Sequence, residues 1–167
     1  MFTLIGTVWV LHGTETFTVV TYNVENYFLE DFGSRKAKSE TSRMKVVEFL
    51  RAIDADVIAL QEMGRRAALA ELRLRLKAKG LDYPHEAWVV GPDPAIHLAV
   101  LSRFPIIKDR SHQHVSYLLD RKRFQVSRGI GEVEVQVNSR YRFVLFNVHL
   151  KSKRPVGFAD QAAMRLE

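Results

Sequence analysis

The chain has 167 residues, 47% of them hydrophobic and 26% charged, with a formal net charge of +6 and no cysteine. That length suits one domain with a real core, since a domain near 150 residues buries about 68–70% of its unfolded surface, and the composition excludes a disordered chain. The missing cysteine excludes disulfides, thiolate zinc sites and a cysteine nucleophile.

The N-terminus is apolar from Met1 to Leu11 and then turns polar. That run is too short for a membrane span of about 20 residues. It reads in two ways: as a signal remnant, which implies a secreted or periplasmic protein, or as a leader or edge strand over residues 1–16. Phe17–Tyr22 is β-branched and bounded by Gly13 and Asn23, which predicts a strand. Residues 30–40 are polar, contain Gly33, and read as a loop. Ser39 is a candidate cap for a helix reaching Ile53, with Val46, Phe49, Leu50 and Ile53 at helical spacing. Val57–Leu60 predicts a short buried strand ending in Gln61-Glu62. A second helix is expected over Arg66–Lys79, with Leu69, Leu72 and Leu76 on one face and Gly80 as its stop.

The second half is richer in strands, expected over Glu86–Val90, His97–Ser102, Arg123–Ser127 and Ile130–Val137. The last of these alternates, with Val133, Val135 and Val137 on one face and Glu132, Glu134 and Gln136 on the other. Asn138-Ser139-Arg140 turns it into a strand over Phe143–Val148, giving a hairpin. A further helix is expected from Phe158 to Glu167. No repeat or low-complexity linker interrupts the chain, so the reading is one mixed α/β domain.

Basic residues gather at Arg65-Arg66, Arg73 to Lys79, Arg121-Lys122-Arg123 and Lys151 to Arg154. Such a balance favours anionic partners, nucleic acid among them, or is simply solvated surface charge. Three polar residues end predicted strands: Asn23, Glu62 and His149. Strand ends of one sheet share a rim, and polar groups there converge on one site. An amide oxygen and a carboxylate are hard ligands suited to a divalent cation that keeps several waters. An imidazole beside such an ion can hydrogen-bond or pass a proton to a phosphate oxygen. Taken singly, each also has a plain structural reading, as turn former, loop cap or packed histidine.

TYNVEN (Thr21–Asn26), ADVIALQE (Ala55–Glu62), LAVLSRFPI (Leu98–Ile106), SRGIGEVEV (Ser127–Val135) and FNVHLKSKR (Phe146–Arg154) together resemble the endonuclease/exonuclease/phosphatase superfamily, the DNase I-like metal-dependent phosphoesterases. The pieces stand in the family's order, and the resemblance covers Thr18 to Glu167. It implies an α/β fold, a DNase I-like two-sheet sandwich flanked by helices, with the site at the rim. It implies metal-dependent phosphoester hydrolysis of nuclease or phosphatase type, with Mg²⁺ (or Mn²⁺ or Ca²⁺) as cofactor and a phosphorylated substrate, nucleic acid among the candidates. By that pattern Glu62 and His149 are the catalytic pair, and Glu62 and Asn23 hold the metal. Arg128 and Lys151 face the phosphate, Glu25 ranks below Glu62 as a further acidic group, and Asn147 supports the rim and is counted with the phosphate-side residues. Arg103 is read as structural.

Family members carry a downstream GDxN segment and a terminal Asp-His pair that orient the attacking water, and neither precedes Glu167. The resemblance therefore implies that residues 17–167 are the N-terminal portion of a catalytic domain, incomplete at the C-terminus and not expected to turn over alone. The alternatives are a non-catalytic remnant that keeps the metal-side rim, or a basic nucleic-acid- or phosphate-binding module. Two minor signals complete the reading. His112 and His114 share a strand face but have no third or fourth ligand, so a surface strand is preferred to a metal site. Gly129-Ile130-Gly131 opens a strand, not a helix, and is no phosphate loop.

Overall fold

The computed structural model describes residues 16–150. The expected leader, the expected helix from Phe158 and the candidate Lys151 lie outside them. The described chain runs β1 (Val19–Tyr27), α1 (Glu40–Ile53), β2 (Val57–Met63), α2 (Arg66–Ala78), β3 (His85–Val89), β4 (His97–Ser102), β5 (Ile106–Asp109), β6 (Ser116–Leu119), β7 (Lys122–Gln125), β8 (Gly131–Gln136) and β9 (Arg142–Asn147).

Four strands form one sheet in the order β1-β2-β4-β3, three form a second in the order β5-β8-β9, and β6-β7 is a separate two-stranded ribbon. The first sheet is mixed: β1 and β2 run parallel, while β4 is antiparallel to both β2 and β3. Its β2 and β4 are buried along nearly their whole length, as the continuous apolar runs VIAL and HLAVL require.

One face of this sheet packs on the helices. Ile58, Leu60, Ala99 and Leu101 meet Val46, Val47 and Leu50 of α1 and Leu69, Leu72 and Leu76 of α2. The other face meets the second sheet, where Val57, Ala87 and Val100 pack on Val133 and Val135 with Ile106, Phe143 and Leu145. The result is the expected sandwich with helices outside.

The helix ends follow their local chemistry. Ser39 caps α1 by accepting from the Ser42 N–H at 3.2 Å, and Asp54 closes it at φ +51°. Phe49, expected in the core, is 46% exposed. Its ring lies 4.7 Å from that of Tyr22 instead, covering the outer side of β1. The cations of the second helix are largely neutralised. Arg66 and Arg73 both pair with Glu86 of β3, and Arg75 bridges Glu71 and Glu40. Among the described residues, no helix is long and apolar enough to cross a membrane.

Three differences from the sequence reading have identifiable causes. β1 does not stop at Tyr22. It continues to Tyr27 through a bulge against β2, with Glu25 and Asn26 at φ +51° and +52°. The strands β5 and β6 were not expected, because each is only four residues long. The β6-β7 turn uses Asp120 and Arg121 at φ +46° and +63°, positions where glycine or asparagine is the usual signal. Finally, Glu134, placed on the outer face by alternation, is only 7% exposed, because Lys108 of β5, Arg110 just beyond it and Arg142 of β9 close over it.

Candidate functional site

β1 and β2 carry their polar ends side by side, with Asn23 paired to Gln61 in register. Alternation along β2 would send Glu62 to the helix face with Ile58 and Leu60. Instead Glu62 adopts φ +61°, a left-handed backbone that re-aims the carboxylate. Its Oε1 accepts from Asn23 Nδ2 at 3.0 Å and its Oε2 from the Asn26 N–H at 2.9 Å. The bulge in β1 is what turns that N–H toward it, a common use of bulges beside sites. Asn23 Oδ1 in turn accepts from the Glu25 N–H at 2.9 Å.

β9 delivers the imidazole. Phe143, Leu145 and Asn147 point to the sheet interface, and the same alternation carried two residues on puts His149 at the rim. His149 Nε2 lies 3.4 Å from Glu62 Oε1, and both side chains are only 18% exposed. The three strand ends therefore meet at one place.

The remaining candidates sort by contact. Arg128 is 13% exposed, and its guanidinium is 3.5 Å from Asp93. Lys151 lies outside the described residues. Glu25 is exposed; its backbone braces the bulge, donating to Asn23 and accepting from Lys38 Nζ at 2.9 Å. Asn147 needs correction as a phosphate-side residue. It is 2% exposed, and its amide is spent on protein partners. Nδ2 donates to the Leu60 and Ala99 carbonyls at 3.0 Å each, and Oδ1 accepts from Gln61 Nε2 at 2.7 Å. It is a strut between the sheets and faces no substrate. Arg103 is structural as expected, clamping Asp54 and Asp56. His112 pairs with Glu132 at 2.8 Å on an exposed surface, bridged to Ile130, and His114 lies outside any strand.

Asp93 is the residue that sequence reasoning missed. It lies between Pro92 and Pro94 just before a buried strand, and that proline-flanked acid was the available signal. Its Oδ1 accepts from the Ala95 and Ile96 N–H groups, and its Oδ2 faces Arg128. It anchors the arginine at the rim. Gly91 makes the approach possible, since an added Cβ would lie 2.4 Å from the Arg128 carbonyl carbon and 2.5 Å from Ser127 O. Backbone cannot rotate away, so Gly91→Ala is expected to destabilise the fold by about 1–3 kcal/mol, read as a fall in the urea midpoint.

Two nitrogens at this rim, Arg128 Nε and His149 Nδ1, are buried with no hydrogen-bond partner among the described residues. Buried polar groups are almost always paired, so these mark a place for an outside partner. Burial and the positive field of Arg128 hold the His149 pKa below the ordinary imidazole value, outweighing the opposite pull of Glu62 and Asp93. The fold thus favours the neutral ring. Its stabilising share is full above the unfolded value near 6.5 and is lost as pH falls through the lowered folded value. Arg128→Ala is expected to raise the His149 titration midpoint, followed by its ring C–H proton resonance in metal-chelated protein. No upward movement would remove Arg128 from this field.

The donor set suits a divalent cation of the hard kind. One carboxylate from Glu62 and one amide oxygen from Asn23 are what a water-retaining ion such as Mg²⁺ takes from a protein. Among the described residues no three His, Cys, Asp or Glu side chains gather into a cage.

The fold and this rim define a class. The family model described as "Endonuclease/Exonuclease/phosphatase family" matches residues 20–160, and the chain belongs to that family. Solved structures agree on the fold. An endonuclease/exonuclease/phosphatase protein from Beutenbergia cavernae superposes with a TM-score of 0.59 at 20% identity, covering 90% of this chain and 42% of that one. Sphingomyelinase C from Streptomyces griseocarneus gives 0.58 at 20% identity, with 91% and 55% covered. A β-hairpin deletion mutant of β toxin from Staphylococcus aureus gives 0.57 at 15% identity, with 89% and 56% covered. The chain thus spans about half the length of the structures it matches. No curated protein sequence matches it.

Proposed function

We propose that this rim serves divalent-metal-dependent hydrolysis of phosphoesters. The observation that carries the reading is the meeting of Glu62, Asn23 and His149 beside two buried, unpartnered nitrogens of Arg128 and His149. Carboxylate and amide oxygen form a cation site, and the unpartnered nitrogens form an anion site next to it. A phosphate satisfies both at once.

In this reading Glu62 and Asn23 hold the ion, which neutralises phosphate charge and polarises its oxygens when bound. Arg128, fixed by Asp93, binds a phosphate oxygen and adds electrostatic stabilisation as charge builds there. Burial and Arg128 lower the His149 pKa and so favour the neutral ring, which presents one N–H and one bare nitrogen. It can donate a hydrogen bond to a phosphate oxygen or hold the proton in transit. Asn147 and Gln61 touch no substrate; they tie the strands that carry His149 and Glu62.

The test is hydrolysis of a phosphomonoester and a phosphodiester by a turnover-competent form of the protein, with Mg²⁺ or with EDTA. Turnover that needs the ion supports the reading. Equal rates in Mg²⁺ and EDTA that are unchanged by Glu62→Ala overturn it.

A further inference from the structure

An apolar cleft of about 180 Å³ is lined by Phe28, Phe32, Ala67, Ala68 and Ala95, with Arg65 and Glu30 at its edge. Its walls are continuous with the rim. Phe28 N donates to Asn26 O, and Asn26 N donates to Glu62, so two hydrogen bonds separate that wall from the carboxylate. Arg65 to Ala68 follow Glu62 after only two residues. Ala95 is held by the same Asp93 that anchors Arg128. Three of its walls therefore start within five residues of Asn26, Glu62 and Asp93, the chain segments that build the rim.

The cleft's size and lining state what it takes. An apolar cavity of about 150 Å³ is enough to hold one benzene ring. Two phenylalanine rings contribute to the walls, and rings prefer offset or edge-on packing with other rings. Arg65, 5.6 Å above the Phe32 ring, is paired with Glu30 at 2.9 Å, so the edge carries no free charge for a second phosphate. An ion-paired edge over an apolar floor accepts an uncharged flat group.

Resting on the phosphoester reading above, we propose that this cleft binds an aromatic ring carried by the phosphoester, of single-ring size, while the phosphate occupies the Glu62–His149 rim. The ring belongs either to a phenyl-type ester or to a pyrimidine base; both present the same flat apolar face.

The experiment compares the Mg²⁺-loaded 167-residue chain binding methyl, hexyl, phenyl and uridine 5′-phosphates by calorimetry. Phenyl phosphate is expected to bind about tenfold more tightly than methyl phosphate, one decade of affinity from a packed ring. A matching gain for the uridine ester alone assigns the base, and for the phenyl ester alone the simple aryl group. Ala95→Leu fills the cleft and Phe32→Ala strips one wall. Both should erase the gain while leaving methyl phosphate affinity unchanged, with melting temperature as the folding check. In the unmodified chain, addition of phenyl phosphate should shift the Ala67, Ala68 and Ala95 methyl resonances, a readout that needs no variant. Equal affinity for phenyl and methyl phosphate, or an equal gain from hexyl phosphate, overturns the aromatic assignment. If no phosphate binds at all, the phosphoester reading fails, and benzyl alcohol then judges the cleft alone. Shifts at the same three methyls sustain it, and their absence ends it.

Discussion

Glu62→Ala is expected to lower Mg²⁺-dependent phosphoester turnover by about three orders of magnitude in a turnover-competent form of the protein. A bound cation is worth several kcal/mol of transition-state charge stabilisation, and each 1.36 kcal/mol is tenfold in rate. Glu62 is the carboxylate at the centre of the rim, contacted by Asn23, Asn26 and His149. Its removal takes away the charge that pairs with the ion and leaves Asn23 as a neutral ligand. The fold should tolerate the change, because the side chain bonds only to groups at a partly exposed rim and Ala retains the same backbone geometry. Glu62→Gln separates charge from shape: it keeps the size and an acceptor for the Asn26 N–H. It should be nearly as inactive if charge is what the ion needs. Calorimetric Mg²⁺ titration on the same preparations supplies the check. An affinity unchanged in both variants would show that the ion is held elsewhere.

Much of this site was legible because strand ends are legible. An apolar run that stops in Gln61-Glu62 or in Asn147-Val148-His149 states both the strand and the rim where it ends, although β9, expected from its apolar run to be buried on both faces, leaves Val144 44% and Phe146 59% exposed on its outer face. Parity along Phe143, Leu145 and Asn147 even predicts the side on which His149 emerges. What the sequence did not show depends on backbone exceptions and long-range contacts. The left-handed Glu62 and the Glu25-Asn26 bulge use non-glycine residues where propensity offers no warning. Asp93 meets Arg128 across 35 positions, and only the folded chain brings the Pro92–Pro94 turn to the rim. Charge by itself left anionic partners and solvated surface both open for the clusters at Arg65-Arg66 and Arg73 to Lys79. In the fold Glu86, Glu71 and Glu40 pair with Arg66, Arg73 and Arg75 on the helix side of the sheet. Arg128, a lone cation in a plain stretch of sequence, stands with Asp93 beside His149.

Asn147→Leu is expected to cost about 3 kcal/mol of stability. Pairing between β2 and β4 slips its register between Leu60 and Met63, which leaves the Leu60 and Ala99 carbonyls turned toward the sheet interface. Asn147 reaches across from β9 and donates to both, while Gln61 donates to its oxygen. Gly131 makes room, since a Cβ there would press on Asn147 at 3.3 Å. Leucine has similar bulk but no donor, so two buried carbonyls lose their partner at about 1–3 kcal/mol each, part of it returned by the apolar side chain. At roughly 2–4 °C per kcal/mol for a chain of this size, melting should fall by about 6–12 °C. Asn147→Asp should do no better, because it keeps the acceptor for Gln61 but puts a carboxylate against two carbonyls. Gln61→Leu alone should cost less, as the Asn147 donors survive, and the double variant should cost less than the two singles together. The same bonds tie the residue before Glu62 to the residue two before His149. If the strut also positions the site, Asn147→Leu should move the His149 titration in molecules that remain folded, below their melting transition. A stability loss with that titration unchanged would confine Asn147 to packing.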